Sequence, residues 1–342
     1  MLHIAQDKAE IIFRERLASD GVQLVRGKAV VGLREADNSQ GLDVSLEDGS
    51  VIRARYVVGA DGSRSSVCCF LGHIRRELIS FQIRRLLGVE FKDPGSGTGY
   101  DDATAAPAFN AVLSDVYLEE PMPKEIPNDS VSGYLTNFLT LIPLPSHMNA
   151  HSNASSSKST SFWRVIYGIP ADGPKPPKYP TLEYLQQLMD ERNPWDTKIT
   201  IASVTATSRY RVRDAVATKY FQKLGDGYVL LAGDAAHVHA PVGGQGMNLG
   251  ICDAVAVAHA IHSHTEAKNS EPRDDVLKQY EESRQRIAIR VVALTKGMTT
   301  LINANKGWRR IIRYLLLRLV PYLPFVSKNA AWRMSGLINR DG

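Results

Sequence analysis

The chain has 342 residues, 44% of them hydrophobic and 23% charged. That is long enough for two domains with real cores, and the balance excludes a disordered or fibrous protein. Its net charge of +5 is uneven: Lys306 to Gly342 holds eight basic residues and one acidic, while the remainder holds 33 basic against 35 acidic. A near-neutral body with a basic tail argues against nucleic-acid binding, which needs a broad basic surface, and makes the tail a local feature.

The first stretch, Ala5 to Ser19, places Ala9, Ile12, Phe13 and Leu17 at helical spacing, and Gly21 suits the left-handed position that ends a helix. Extended runs are expected at Val22 to Val25, Ala29 to Leu33, Leu42 to Leu46 and Val51 to Val58, with Asp48-Gly49 as a hairpin turn. The fourth run leads into Gly59-Ala60-Asp61-Gly62, an acidic turn bounded by glycines. From Arg75 to Arg213 the chain holds most of its prolines and short β-like runs at Leu86 to Phe91, Phe138 to Ile142 and Phe162 to Ile169. His151 to Thr160, mostly serine and asparagine, reads as a surface loop, and Thr181 to Met189 as a helix. Tyr228 to Ala232 is a buried strand, a helix follows from about Met247 to His262, and a polar linker (Thr265 to Asp275) leads to helical sequence up to about Leu319. Cys68, Cys69 and Cys252 give no disulfide framework or ligand pairs and read as reduced thiols of an intracellular, cytoplasmic protein. Met1 to Asp20 is charged throughout, without the apolar segment of a signal peptide.

The chemistry-bearing segment runs from Tyr228 to Asn248. A strand ends at Gly233, and Asp234 sits at its C-terminal mouth, where open α/β sheets bind ligands. Gly243, Gly244 and Gly246 let the backbone approach a ligand, and Asn248 opens a helix whose first amides are unpaired and partly positive. Such a helix start favours an anionic or electron-rich group, and an ionised Asp234 would accept from a ligand hydroxyl. The alternatives are a plain strand-turn-helix and a metal site of Asp234, His237 and His239. No third ligand cluster lies near those residues in sequence, so no metal is expected.

Gly233-Asp234-Ala-Ala-His237, with Pro241, Gly243-Gly244, Gly246 and Asn248, resembles the second FAD-binding motif of the flavoprotein aromatic hydroxylases, the para-hydroxybenzoate hydroxylase-like family. The resemblance implies that Asp234 holds the ribityl chain of FAD and that Gly244, Gly246, Met247 and Asn248 meet the flavin ring. It places Pro241 at the border of the substrate cavity. Val57 to Ser65 is similar to the family's Asp-Gly motif, which serves both FAD and NAD(P)H and here centres on Asp61; where that pattern carries an arginine, this chain has Cys68. Gln6 before the first helix and Val30 after Gly27 match the segments that contact FAD on its flavin and adenine sides.

The resemblance further implies an opening strand, a Gly-x-Gly-x-x-Gly turn and a helix. No such spacing precedes Gln6, and Gly95-Ser-Gly-Thr-Gly99 lacks it, so the chain is expected to be without that βαβ unit and its pyrophosphate site. The expected fold is α/β (α+β): an incomplete glutathione-reductase-type FAD-binding Rossmann domain with an inserted mixed β-sheet substrate domain and C-terminal helices. Its expected parts are residues 1–74 and 215–264 for the FAD domain, 75–214 for the substrate domain and 265–342 for the helical region. The implied activity is an FAD-dependent monooxygenase that uses NAD(P)H and O2, through a flavin hydroperoxide, to hydroxylate or epoxidise an electron-rich aromatic or secondary-metabolite molecule. The alternatives are a truncated or degenerate flavin-fold protein without activity and an FAD oxidase or dehydrogenase. The pocket is expected between the middle-domain sheet and the Pro241 to Gly246 loop, with Tyr134, Tyr167, Arg84 and Arg209 as pocket candidates or, alternatively, structural residues. No catalytic base is assigned. Trp308 to Val326 is too interrupted by arginine and proline to span a bilayer; it is read either as a peripheral contact for an anionic membrane or as a docked C-terminal helix.

Overall fold

The computed structural model describes residues 6–37, 41–63, 83–102, 109–127, 132–134, 138–144, 159–169, 174–241, 244–267, 273–303 and 307–319, with single positions beyond. The chain divides into two compact units, one of residues 1–28 and 111–210, the other of 29–110 and 211–342.

In the first unit, α1 (Gln6–Ser19) ends as its sequence predicts. Gly21 takes φ +73°, its amide donates to Ala18 and the Val22 amide to Leu17, so two otherwise orphaned carbonyls are satisfied. The strand expected at Val22 to Val25 does not form. Apolar composition alone does not make a strand: without a ladder partner the run stays irregular, with Val22, Leu24 and Val25 about half exposed.

The body of this unit is a five-stranded sheet in the order β10-β6-β9-β8-β7, formed by β6 (Phe109–Glu119), β7 (Ser132–Tyr134), β8 (Leu139–Pro143), β9 (Thr160–Gly168) and β10 (Ile201–Val212). The two longest strands, β6 and β10, are absent from the sequence reading. β6 alternates Val112, Ser114, Val116 and Leu118 inward, the period of a half-buried strand. Register aligns Val112 with Tyr167, Val116 with Trp163 and Leu141 with Val165. One layer thus forms against Leu185, Leu188 and Met189 of α3 (Leu182–Arg192), each buried side chain contributing about 1.5–3 kcal/mol. Thr181 caps α3 by accepting the Tyr184 amide at 3.3 Å. Of the insert read as a loop, residues 151–158 lie outside the described set, and Thr160 already begins β9.

The second unit opens with an antiparallel meander of β1 (Val30–Glu35), β2 (Leu42–Leu46) and β3 (Val51–Ala54). Asp48 and Gly49 turn the β2–β3 hairpin as predicted, with Gly49 at φ +82° and Asp48 accepting the Ser50 amide at 3.0 Å. The run read as one strand, Val51 to Val58, is two. It breaks at Arg55, and β4 (Tyr56–Gly59) leaves the meander to pair in parallel with β13 (Gly227–Leu231), Gly59 lying opposite Leu231. On its other side β13 pairs antiparallel with β12 (Phe221–Leu224). All five β13 residues are buried, as expected of a strand covered on both faces.

Leu86 to Phe91 is not a strand. Ile83–Leu86 is the one-turn helix α2, and β5 (Phe91–Lys92) joins β11 (Ala215–Ala217) and β14 (His237–Val238) in a small sheet. Three helices follow: α4 (Gln245–Glu266), α5 (Asp275–Asn303) and α6 (Gly307–Leu319). The polar linker is shorter than read, since α4 continues through Glu266, and residues 268–272 lie outside the described set. Among the described residues no helix is long and apolar enough to cross a membrane.

Candidate functional site

Two strand ends meet in the second unit. Because β4 and β13 run in parallel, both deliver their C-terminal turns to the same sheet edge, and the Ala232 amide donates to the Gly59 carbonyl at 3.0 Å. Beyond β4 stands Asp61; one of its oxygens accepts the Ile83 amide at 2.7 Å, so it anchors the start of α2. Beyond β13 a 3-10 turn spans Gly233–Ala235, opened by Gly233 at φ +59°, a conformation glycine adopts without a Cβ penalty. That turn holds the Asp234 carboxylate exposed, and no described residue donates a hydrogen bond to it. Residues 64–82 lie outside the described set, and with them Ser65, Cys68 and Cys69.

Arg84 fastens the two turns together. Only 2% exposed, it donates to the Ala235 carbonyl at 2.6 Å and the Ser63 carbonyl at 3.1 Å, with its guanidinium 3.9 Å from the centre of the Phe91 ring. Burial draws its pKa down and Asp61 opposes the shift, yet a guanidinium stays charged at physiological pH. Of the pocket candidates, then, Arg84 is a buried brace and Tyr167 a fully buried core residue. Arg209 donates to the Pro176 carbonyl at 3.2 Å on the surface, and the Tyr134 side chain lies outside the described set.

The helix at the site begins earlier than its sequence suggests. Gly244, at φ +64°, is the N-cap of α4, and Gln245, Gly246 and Met247 form its first turn. Asn248 is therefore the fourth helical residue rather than the first, and the first-turn amides without an intrahelical acceptor that could face a ligand include those of Gly246 and Met247. The Gly244 amide itself bonds the Pro241 carbonyl at 3.0 Å. A Cβ at Gly244 or Gly246 would meet nothing within 4 Å, so open space surrounds this helix start, and Met247 is 46% exposed beside it. Ahead of the loop, His239 and Asp214 are both buried and both bond Ala240. Asp214 accepts the Ala240 amide at 3.0 Å, and His239 bonds the Ala240 carbonyl through Nδ1. Burial pushes the Asp214 carboxyl up and the His239 imidazole down, against smaller opposing contributions from the Ala240 backbone.

Beneath the turn lies a network that sequence reading missed. Asp253 of α4, fully buried, accepts the Gly233 amide at 2.9 Å and His237 Nε2 at 2.6 Å on one oxygen, and Arg284 Nε of α5 at 2.7 Å on the other. Burial alone would raise this carboxyl; His237, Arg284 and the Gly233 amide outweigh it and hold the pKa below its ordinary value. His237 is thus committed to a carboxylate and His239 to a backbone carbonyl. Neither is held toward Asp234 as a metal ligand, and the described residues contain no group of three or more His, Cys, Asp and Glu that could hold a metal ion. The available signal was a lone aspartate inside the apolar run from Ile251 to Val257 of α4, where a buried acid requires partners.

The structure therefore groups Asp61, Asp234, Pro241, Gly244, Gly246, Met247 and Asn248 on one unit. Val30 opens β1 of the meander in that unit, and Gln6 begins α1 of the other.

The profile of the FAD binding domain family matches residues 1–295. The chain is 29% identical over 324 residues to a rifampicin monooxygenase of Streptomyces venezuelae, covering 94% of this chain and 56% of that protein. It is 26% identical over 347 residues to the 12-dehydrotetracycline 5-monooxygenase/anhydrotetracycline 6-monooxygenase of Streptomyces rimosus, covering 98% and 58%. The chain thus spans little more than half the length of these two relatives. Among solved structures, the p-nitrophenol 4-monooxygenase of Pseudomonas putida superposes with a TM-score of 0.68 at 17% identity, over 99% of this chain and 73% of that one, a likeness of fold.

Proposed function

The chain belongs to the FAD binding domain family, whose profile it matches from residue 1 to 295, and from that premise we propose that it serves an FAD-dependent monooxygenase reaction. The reaction uses NAD(P)H and O2 to hydroxylate or epoxidise an electron-rich small molecule. Relatives named for rifampicin and tetracycline substrates support an aromatic, secondary-metabolite class. The observation that carries the reading is the junction between β13 and α4: an exposed carboxylate at Asp234 beside the start of α4, where a Cβ at Gly244 or Gly246 would meet nothing within 4 Å.

An FAD would fit these residues. Bound there, it would supply hydride acceptance and O2 activation, chemistry no side chain provides. Asp234 would accept a ribityl hydroxyl, because an ionised carboxylate offers acceptors only. The amides of Gly246 and Met247, at the positive end of the α4 dipole, would face the electron-rich edge of the ring, with Met247 and Asn248 against it. Gly244 and Gly246 leave the space such an approach needs. Asp61 and Val30 of the same unit would complete the cofactor contacts, and Pro241 would border the substrate. The chain's part in the chemistry is to hold, orient and exclude water. The test is product analysis under ¹⁸O2 with NAD(P)H and a panel of electron-rich phenols and polycyclic aromatics. One labelled oxygen atom per product is expected; stoichiometric hydrogen peroxide with no oxygenated product across the panel would identify an oxidase instead.

We place the protein in the cytoplasm, with α6 as a peripheral contact for anionic membranes. At about 100° per residue, Trp308, Ile311, Ile312, Leu315 and Leu319 fall on one arc of α6, arginine positions 309, 310 and 313 on the opposite arc, and position 318 at the edge of the apolar arc. Those five apolar residues are 45–67% exposed. A basic amphipathic helix of this kind lies in an anionic interface. Flotation with phosphatidylserine vesicles, lost on phosphatidylcholine vesicles, is expected; no flotation on either removes the contact.

A further inference from the structure

We infer that Asp253 is a positioning residue that locks the two halves of the candidate flavin site into one frame. The inference rests on the reading of Asp234 and the α4 start as that site. Asp253 belongs to α4, eight residues after its first, and a helix is stiff over two turns. Its Oδ2 holds the Gly233 amide, the residue immediately before Asp234. The spacing between the Asp234 carboxylate and the α4 amides is therefore set through a single buried side chain.

Two further contacts immobilise that side chain. His237 Nε2 reaches the same oxygen from β14, just beyond the turn, and Arg284 Nε holds the other oxygen from α5. With the carboxylate ionised, Nε2 carries the His237 proton, so every contact is a donor meeting an acceptor. The Asp253, His237 and Arg284 side chains are at most 2% exposed, and water does not compete for them. Backbone packing adds to the frame: a Cβ at Gly250 would lie 3.6 Å from the Gly233 Cα, so the helix and the turn already sit at close range. The network lies below the site and touches no ligand. Its role is geometric, and misplacement by a fraction of an ångström is what its loss would produce.

The test separates positioning from folding. Removing Asp253 alone strands a buried guanidinium, so Asp253→Leu is combined with Arg284→Met, an apolar exchange of both partners that restores stability in other buried pairs. Leu277→Ala serves as a stability control. Leu277 is fully buried on α5 three residues beyond Asp274, which bonds Tyr228 near the start of β13, away from the Gly233 end. Two readouts are taken below the melting temperature of each variant: the FAD dissociation constant from flavin fluorescence quenching, and the hydrogen-exchange rate of the Gly233 amide without FAD. The double variant is expected to bind FAD about tenfold or more weakly and to exchange Gly233 faster, while Leu277→Ala leaves both near wild type. Should the double variant not fold, Asp253→Asn is read by the same two measures. Wild-type exchange and affinity in the folded variant overturn the inference while leaving the flavin reading intact. FAD binding that is absent in wild type, or unchanged in Asp234→Ala, removes the flavin reading and the inference with it.

Discussion

Replacing Arg84 with methionine keeps an unbranched apolar stem and removes the guanidinium with its charge and donors. The loss includes two charge-assisted hydrogen bonds, to Ala235 and Ser63, and the contact of the guanidinium with the Phe91 ring. Each such bond is worth about 1.5–3 kcal/mol and the ring contact about 0.5–2 kcal/mol. Relief of guanidinium desolvation offsets part of the sum, so the expected net loss is about 3 kcal/mol. Domains are stable by about 5–15 kcal/mol, and the variant should therefore still fold, with an earlier urea midpoint by circular dichroism. Because Arg84 is the brace between the turns after β4 and β13, FAD affinity should fall as well. Arg84→Lys, which keeps the charge but not the forked geometry, should lie between the two. A stability loss below about 1 kcal/mol with unchanged FAD affinity would refute the brace.

Gly59→Ala would put a Cβ 2.9 Å from Leu231 Cδ2 and 3.1 Å from Ile83 Cβ, so overpacking at the end of β4 should cost about 1–3 kcal/mol in urea unfolding. Tyr56 donates to His264 Nδ1 at 2.7 Å and His264 Nε2 bonds Asp274 at 3.2 Å; burial holds the His264 pKa down, with Asp274 opposing. The folded state then resists protonation that the unfolded state accepts below about pH 6.5, so stability falls as pH drops through that window. The melting temperature should fall between about pH 7.5 and 5.5, and less so in His264→Gln; equal falls would assign the effect elsewhere. Asp253, held low, adds stability that is complete above about pH 4 and lost only below it, so acid unfolding of Asp253→Asn should show a weaker pH dependence in that range.

Elements whose signals are local were legible in the sequence: the Gly21 helix stop, the Asp48-Gly49 hairpin, β13, and the strand end at Gly233 that carries Asp234. What was missed depends on partners distant in the chain. Val51 to Val58 reads as one extended run, and only the parallel pairing with β13 divides it at Arg55. Val22 to Val25 has strand composition, yet composition cannot supply a neighbouring strand. β6 was legible in principle, because its period-2 alternation is regular, but Asp115 and Ser114 interrupt the apolar run that drew attention elsewhere. At the site, the motif pointed to Asp234 and the following helix but put the helix start at Asn248, three residues late, since Gly244 as N-cap leaves no side-chain cap to recognise. Arg84 and Asp253 join segments 151 and 31 residues apart, and no local pattern encodes such contacts.

The central claim is that FAD binds at the turn after β13 and the start of α4. Titrating FAD into the purified wild-type chain and into Asp234→Ala, and following flavin fluorescence together with the visible absorbance of the ring, tests it most directly. Saturable quenching with a shifted ring spectrum in wild type, and loss of both in Asp234→Ala, is the predicted result. Equal binding by the two proteins would contradict it.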